Sequence, residues 1–135
     1  MAALVAVGGA IGTAARAHLE TTFAPAPGTV PWVTLIINVA GSFALGALLE
    51  LLLRTGPDTG WRKAVRLGCG TGIIGGFTTY STFIIEIDQL ARDGHLLTGA
   101  TYTVVSLVAG LVAAGAGLLT VDRIVRHRTS GETTR

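Results

Sequence analysis

The sequence predicts an all-α membrane protein with four transmembrane helices, the third of them broken near its middle. Three observations carry that prediction. Half of the 135 residues are hydrophobic and only 13% are charged, where a soluble domain carries roughly 25%. The charged residues divide the chain into four apolar stretches, each close to the ~20 residues that a helix needs to cross a bilayer core. Glycine occurs 19 times, spread through those stretches instead of gathered in a low-complexity tract. Ten basic residues against eight acidic ones are too small an excess to suggest a nucleic-acid partner.

The first helix is expected over about residues 2–20, with Arg16 inside its far end. No base precedes Arg16, so a cleaved signal peptide is not expected. The second stretch is uncharged from Thr21 to Leu49, and its helix is placed at about 31–53. Pro31 suits a first helical turn, where its missing donor would be unpaired anyway. The third stretch is uncharged from Leu67 to Ile85, giving a helix over about 62–91, and the fourth, uncharged from Leu96 to Val121, gives a helix over about 96–125. Residues 1–125 then form one four-helix transmembrane domain, and residues 126–135 a polar tail whose bases suit anionic lipid. Pro25, Pro27, Pro31 and Pro57 fall in connections or at a helix start, which supports these boundaries.

Helices in lipid approach closely through small residues. Gly8 and Gly12, then Gly68, Gly72 and Gly76, then Ser106, Gly110 and Ala114 recur at four-residue spacing, and they are read as packing ladders. Cys69 is a further small packing residue, since without a second cysteine it forms no intramolecular disulfide.

Polar residues at membrane depth are costly and tend to face a partner or a water-filled path. Thr34, Asn38, Ser42, Gly46 and Glu50 form a stripe on one face of the second helix, and Thr98, Tyr102 and Ser106 form another on the fourth. Such stripes act either as interhelical glue or as the wall of an ion path. In the third stretch two adjacent glycines precede β-branched threonines in Gly75-Gly76-Phe77-Thr78-Thr79-Tyr80-Ser81-Thr82-Phe83, a poor helix-forming run. A break there frees carbonyls that must line a cavity or bind an ion. Tyr80 and Phe83 share one helical face beyond it, and Thr82 and Glu86 share another.

Together these residues resemble the small bacterial fluoride channels of the Fluc or CrcB family, along nearly the whole chain. The resemblance rests on GGAIGTAAR in the first segment, LIINVAGSFALG in the second, GGFTTYSTFIIE in the third and a tyrosine four residues before a serine in the fourth. It implies a fluoride-selective channel in the cell inner membrane, built as an antiparallel dimer of the dual-topology type. It implies a structural Na⁺ held at the dimer interface by the carbonyls of Gly75 and Thr78. It also implies a fluoride path along Asn38, Tyr80, Phe83, Tyr102 and Ser106, with Thr34, Ser81 and Thr82 as weaker matches and Arg16 and Glu86 at the pore entrance. Tyr80 departs from the family, which usually has phenylalanine at that position.

Two rivals remain on sequence grounds. A proton-coupled transporter resembling the small multidrug resistance family would need a carboxylate inside the first helix, but the first acidic residue is Glu20, at its end. A non-conducting structural subunit would explain the glycine ladders and leave the polar stripes and the break unexplained. An enzyme is not expected, because no nucleophile, base and orienting residue fall together. Four crossings place both termini on one side with the loop between the second and third segments. That side holds Arg54, Arg62, Lys63, Arg66, Arg123, Arg126, Arg128 and Arg135, and the other holds Arg16 and Arg92. The bias favours one orientation, with both termini in the cytoplasm. An antiparallel dimer of this chain is then either a homodimer working against the bias or a heterodimer with an oppositely biased homologue.

Overall fold

The structure, a computed structural model, describes residues 1–132, with side chains through residue 127. Every regular element in it is helical: α1 (Ala2–Thr22), α2 (Trp32–Thr55), α3 (Gly60–Val65), a π-helical segment (Arg66–Ile74), α4 (Gly75–Phe77), α5 (Ser81–Arg92) and α6 (Leu96–Glu132). Three helices, α1, α2 and the part of α6 up to His127, are long and apolar enough to cross a membrane. Large apolar side chains such as Val7, Ile36, Leu97 and Leu111 cover the outside. Leu35, Phe83, Leu90 and Tyr102 form a small core where α2, α5 and α6 meet.

Glycines decide which backbones touch. α2 and α6 share the most extensive interface, and α1 lies along the π-helical segment and α4. A β-carbon on Gly8 would overlap the Gly68 carbonyl oxygen, and one on Gly12 would overlap that of Ile73. The expected ladders of the first and third stretches therefore face one another. Between α2 and α6 the closest approaches are made at Gly46, against Ala114, and at Gly117, against Phe43.

Several boundaries differ from the sequence expectation. Pro31 is the N-cap of α2 and not its first helical residue; its carbonyl accepts the Leu35 amide at 3.2 Å. The third stretch starts earlier, at Gly60, and widens into π-helical turns over Arg66–Ile74. Gly68, Gly70 and Gly72 leave those turns free of side-chain crowding, and such turns often mark functional positions. The last helix does not end near residue 125: the supposed tail stays helical through Glu132. Arg126 pairs with Asp122 one turn earlier at 3.0 Å, and no proline interrupts the run. Residues 133–135 lie outside the described residues.

The connection after α5 is tightly built. His95 donates its amide to Leu90 at 2.8 Å and Gly94 to Ala91 at 3.2 Å, with Gly94 at φ +81°. This is the two-bond Schellman closure, which needs a left-handed residue that glycine supplies without strain.

Candidate functional site

Helical backbone stops at Phe77, Thr78 is extended with ψ 153°, and helix resumes at Ser81. The Thr78 amide and hydroxyl both donate back to the Ile74 carbonyl, at 2.9 and 3.0 Å. At the next residue the pattern changes. The Thr79 amide donates to Asn38 Oδ1 at 2.8 Å, not to Gly75, the acceptor four residues back in a continued helix. Asn38 Nδ2 donates in return to the Thr79 carbonyl at 2.9 Å. The Thr82 amide donates to Thr79 Oγ1 at 3.1 Å, not to the Thr78 carbonyl. The carbonyls of Gly75 and Thr78 are thus passed over by the two amides that a regular helix would have aimed at them. The third carbonyl of the turn has a different fate: Gly76 accepts from Arg16 Nε and Thr13 Oγ1, each at 3.4 Å.

Gly41 makes room for this turn, since a β-carbon there would overlap the Thr78 methyl group. Above it runs a groove of about 510 Å³ lined by residues that include Asn38, Ser42, Gly75, Thr78, Tyr80, Phe83 and Ser106. Six of the twelve residues singled out from the sequence therefore border one space. The Ser106 hydroxyl is buried and has no hydrogen-bond partner among the described residues. The Phe83 ring is buried between two others, its centroid 6.3 Å from Tyr80 and 5.2 Å from Tyr102. Tyr80 is 76% exposed on the outer face of the chain.

A second cluster lies beyond Phe83. Thr34 Oγ1 donates to Glu86 Oε1 at 2.6 Å and the Tyr102 hydroxyl to Glu86 Oε2 at 2.8 Å. Thr34 and Tyr102 are nearly inaccessible, at 1% and 2%. The polar stripes of α2 and α6 therefore meet on a carboxylate from α5, a convergence that four-residue spacing alone does not reveal. On its other side Glu86 borders a cavity of about 400 Å³ with the proline-rich loop, Gln89 and Asp93.

The remaining residues are placed as follows. Arg16 pairs with Glu20 at 2.9 Å and reaches Thr82 Oγ1 at 3.5 Å, so its guanidinium joins α1 to the turn. Thr82 also accepts the Thr79 hydroxyl at 3.0 Å. Thr82 and Glu86, though one turn apart, contact different partners. Ser81 is exposed, with its hydroxyl 3.4 Å from that of Thr79. Two contributors escaped the sequence reading. Thr79 was hidden in a run of threonines, although an asparagine at membrane depth calls for a backbone partner. Glu20 was legible through its four-residue spacing from Arg16.

A family profile described as "CrcB-like protein, Camphor Resistance (CrcB)" matches residues 3–118. The chain is similar to "Fluoride-specific ion channel FluC 1" of Cutibacterium acnes, 42% identical over 94% of this chain and 89% of that one. It is similar to "Fluoride-specific ion channel FluC 2" of Leifsonia xyli, 47% identical over 85% of this chain and 79% of the relative. A third relative, "Fluoride-specific ion channel FluC" of Sphingopyxis alaskensis, is 41% identical over 89% of this chain and 94% of its own.

Proposed function

Because the chain belongs to the CrcB-like family, we propose that it is a fluoride-selective channel that lets the anion leave the cytoplasm passively. It is an integral, multi-pass membrane protein, with three of its helices long and apolar enough to span. The interrupted run from α3 to α5 supplies the fourth crossing. The relatives are named as channels, not enzymes.

The observation that carries the proposal is the groove in which Asn38, Phe83 and Ser106 come together. A small, strongly hydrated anion enters a low-dielectric path only if donors replace its water. The unpartnered Ser106 hydroxyl is such a donor. The second N–H of the Asn38 amide is another, because an amide has two and Thr79 uses one. The electron-poor edges of Phe83 and Tyr80 attract negative charge without the desolvation cost of a buried cation. Tyr102, Thr34 and Glu86 continue the path toward the loop-side cavity. The open side of the groove, with exposed Tyr80 on it, is closed in this reading by an antiparallel second subunit.

The chemistry of the turn fits a structural Na⁺. Hard cations take carbonyl oxygens, and Gly75 and Thr78 offer two that no helical amide claims. Such an ion on the dimer axis would give these carbonyls the partner that membrane depth otherwise denies them. The basic bias toward one side supports a heterodimer with an oppositely biased homologue, in which a second chain supplies the inverted orientation.

Efflux of fluoride from liposomes that carry the purified protein tests the function, with chloride as control. Fluoride should leave faster than from empty liposomes while chloride does not. If neither this chain alone nor this chain with its homologue accelerates fluoride loss, the proposal fails.

A further inference from the structure

At the opposite end of the chain from the Glu86 cavity, the corner between α2 and α3 forms a separate cavity of about 260 Å³. Its floor is apolar, made by Leu49, Leu52 and Leu53, and its rim carries Arg62, Arg66 and Asp58. The two arginines are not equivalent. Arg66 is occupied by Asp58, with Nη2 to Oδ2 at 2.8 Å and Nε to Oδ2 at 3.0 Å. Arg62 commits only Nε, to Thr55 Oγ1 at 3.2 Å, and its two terminal nitrogens donate to no described residue. They lie over Gly56, where a β-carbon would be 3.1 Å from the guanidinium carbon.

We infer that this corner binds the headgroup of an anionic phospholipid, with the phosphate on Arg62 and the start of an acyl chain on the leucine floor. A planar guanidinium with two free nitrogens suits a phosphate, which it contacts through paired N–H donors. Three bases, Arg62, Lys63 and Arg66, face one carboxylate here, so the rim is complementary to a negative headgroup. The depth is also right. Trp61 is exposed, with its ring centroid 5.0 Å from the Arg62 guanidinium carbon, and tryptophan concentrates at the membrane interface. A free phosphate would use the rim and ignore the floor, whereas a phospholipid uses both. This site is independent of the ion the chain carries.

Of the two tryptophans, Trp32 opens α2 and Trp61 lies in α3, beyond the other end of α2, so Trp32→Phe leaves Trp61 as the single reporter. The full-length protein in that background is reconstituted with brominated phosphatidylglycerol or brominated phosphatidylcholine. Quenching of Trp61 should favour the anionic lipid, and Arg62→Gln should reduce that preference about fivefold. Arg62→Lys should retain part of it, and Arg123→Gln, which removes an exposed base at the same end, should leave it nearly intact. Equal quenching by the two lipids would overturn the site. So would an equal loss in Arg62→Gln and Arg123→Gln, which would mean diffuse surface attraction. Displacement of the preference by millimolar inorganic phosphate would also overturn it, since the ligand would then be the free anion.

Discussion

The side chain of Asn38 closes a two-bond ring with the backbone of Thr79, donating to its carbonyl at 2.9 Å and accepting its amide at 2.8 Å. The amide behaves as a peptide group borrowed from α2 to satisfy a residue that helix geometry has abandoned. Without it, two backbone groups at membrane depth would lack partners. Glue and path wall, offered as alternatives by the sequence, are in this arrangement compatible roles of one residue.

Asn38→Asp should therefore act twice. A carboxylate cannot donate to the Thr79 carbonyl, and an unsatisfied buried acceptor costs about 1–3 kcal/mol. It also sets negative charge beside the proposed anion path. Fluoride efflux is expected to fall nearly to that of empty liposomes, with a lowered melting temperature in detergent. Unchanged flux would remove Asn38 from the path.

Phe83→Ile separates ring chemistry from bulk. The site is buried between Tyr80 and Tyr102, so the smaller aliphatic chain leaves unfilled space and removes two ring contacts, and some loss of stability is expected. Losing the electron-poor ring edge should lower fluoride flux severalfold while the protein still folds. A variant with normal stability and full flux would assign Phe83 to packing alone.

The Gly75 and Thr78 carbonyls lead to a test that needs no mutation. Exchanging Na⁺ for a much larger cation during purification should weaken subunit association or flux, because carbonyl cages discriminate by size and ligand number. Size-exclusion profiles and efflux rates that ignore the cation would argue against a bound ion at the turn.

Asp58 offers a pH-dependent probe of the α2–α3 corner. The Arg66 hydrogen bond is the main cause that holds its carboxyl below the ordinary value of 3.8. A carboxylate with a depressed folded-state pKa contributes stability above its unfolded value and loses it as pH falls through the folded one. Protection of the Gly56, Asp58 and Thr59 amides, taken relative to the intrinsic exchange rate at each pH, should thus hold near neutrality and fall in acid as the Asp58 carboxylate is protonated below its ordinary value, while Asp58→Asn should remove that acid-induced step. The same step in both proteins would place its origin elsewhere.

The bundle was legible because membrane helices announce themselves by length and charge: the ends of α1, α2 and α5 fall within a few residues of expectation. Helix packing was legible too, since Gly8, Gly12, Gly68 and Gly72 can touch only where side chains are absent. Less could be read of the site. The π-helical turns over Arg66–Ile74 have no periodicity of their own, and they shift every later residue around the axis. The meeting of Thr34 and Tyr102 on Glu86 joins three helices, and spacing within one helix carries no information about it. The length of α6 was underestimated because a charged, polar run was read as a tail outside the last helix, while charges four apart, such as Asp122 and Arg126, also support a helix.

Orientation is the last property that charge should decide. Of the bases on the side that holds both termini, Arg54 pairs with Glu50 and Asp122, Arg66 with Asp58 and Arg126 with Asp122. The two on the other side are paired as well, Arg16 with Glu20 and Arg92 with Asp88. Pairing therefore does not cancel the asymmetry, and insertion responds to Lys and Arg near the membrane more than to net charge. Reporter fusions at the C-terminus should be active almost wholly on the cytoplasmic side. Reversing the bias, by replacing Arg62, Lys63 and Arg66 with glutamine and adding bases to the proline-rich loop, should move signal to the other side. An inverted partner would then have to be a different chain, and co-expression with a homologue of opposite bias should raise fluoride flux above that of either alone. Equal reporter signal from both sides, or full flux from this chain by itself, would establish a homodimer instead.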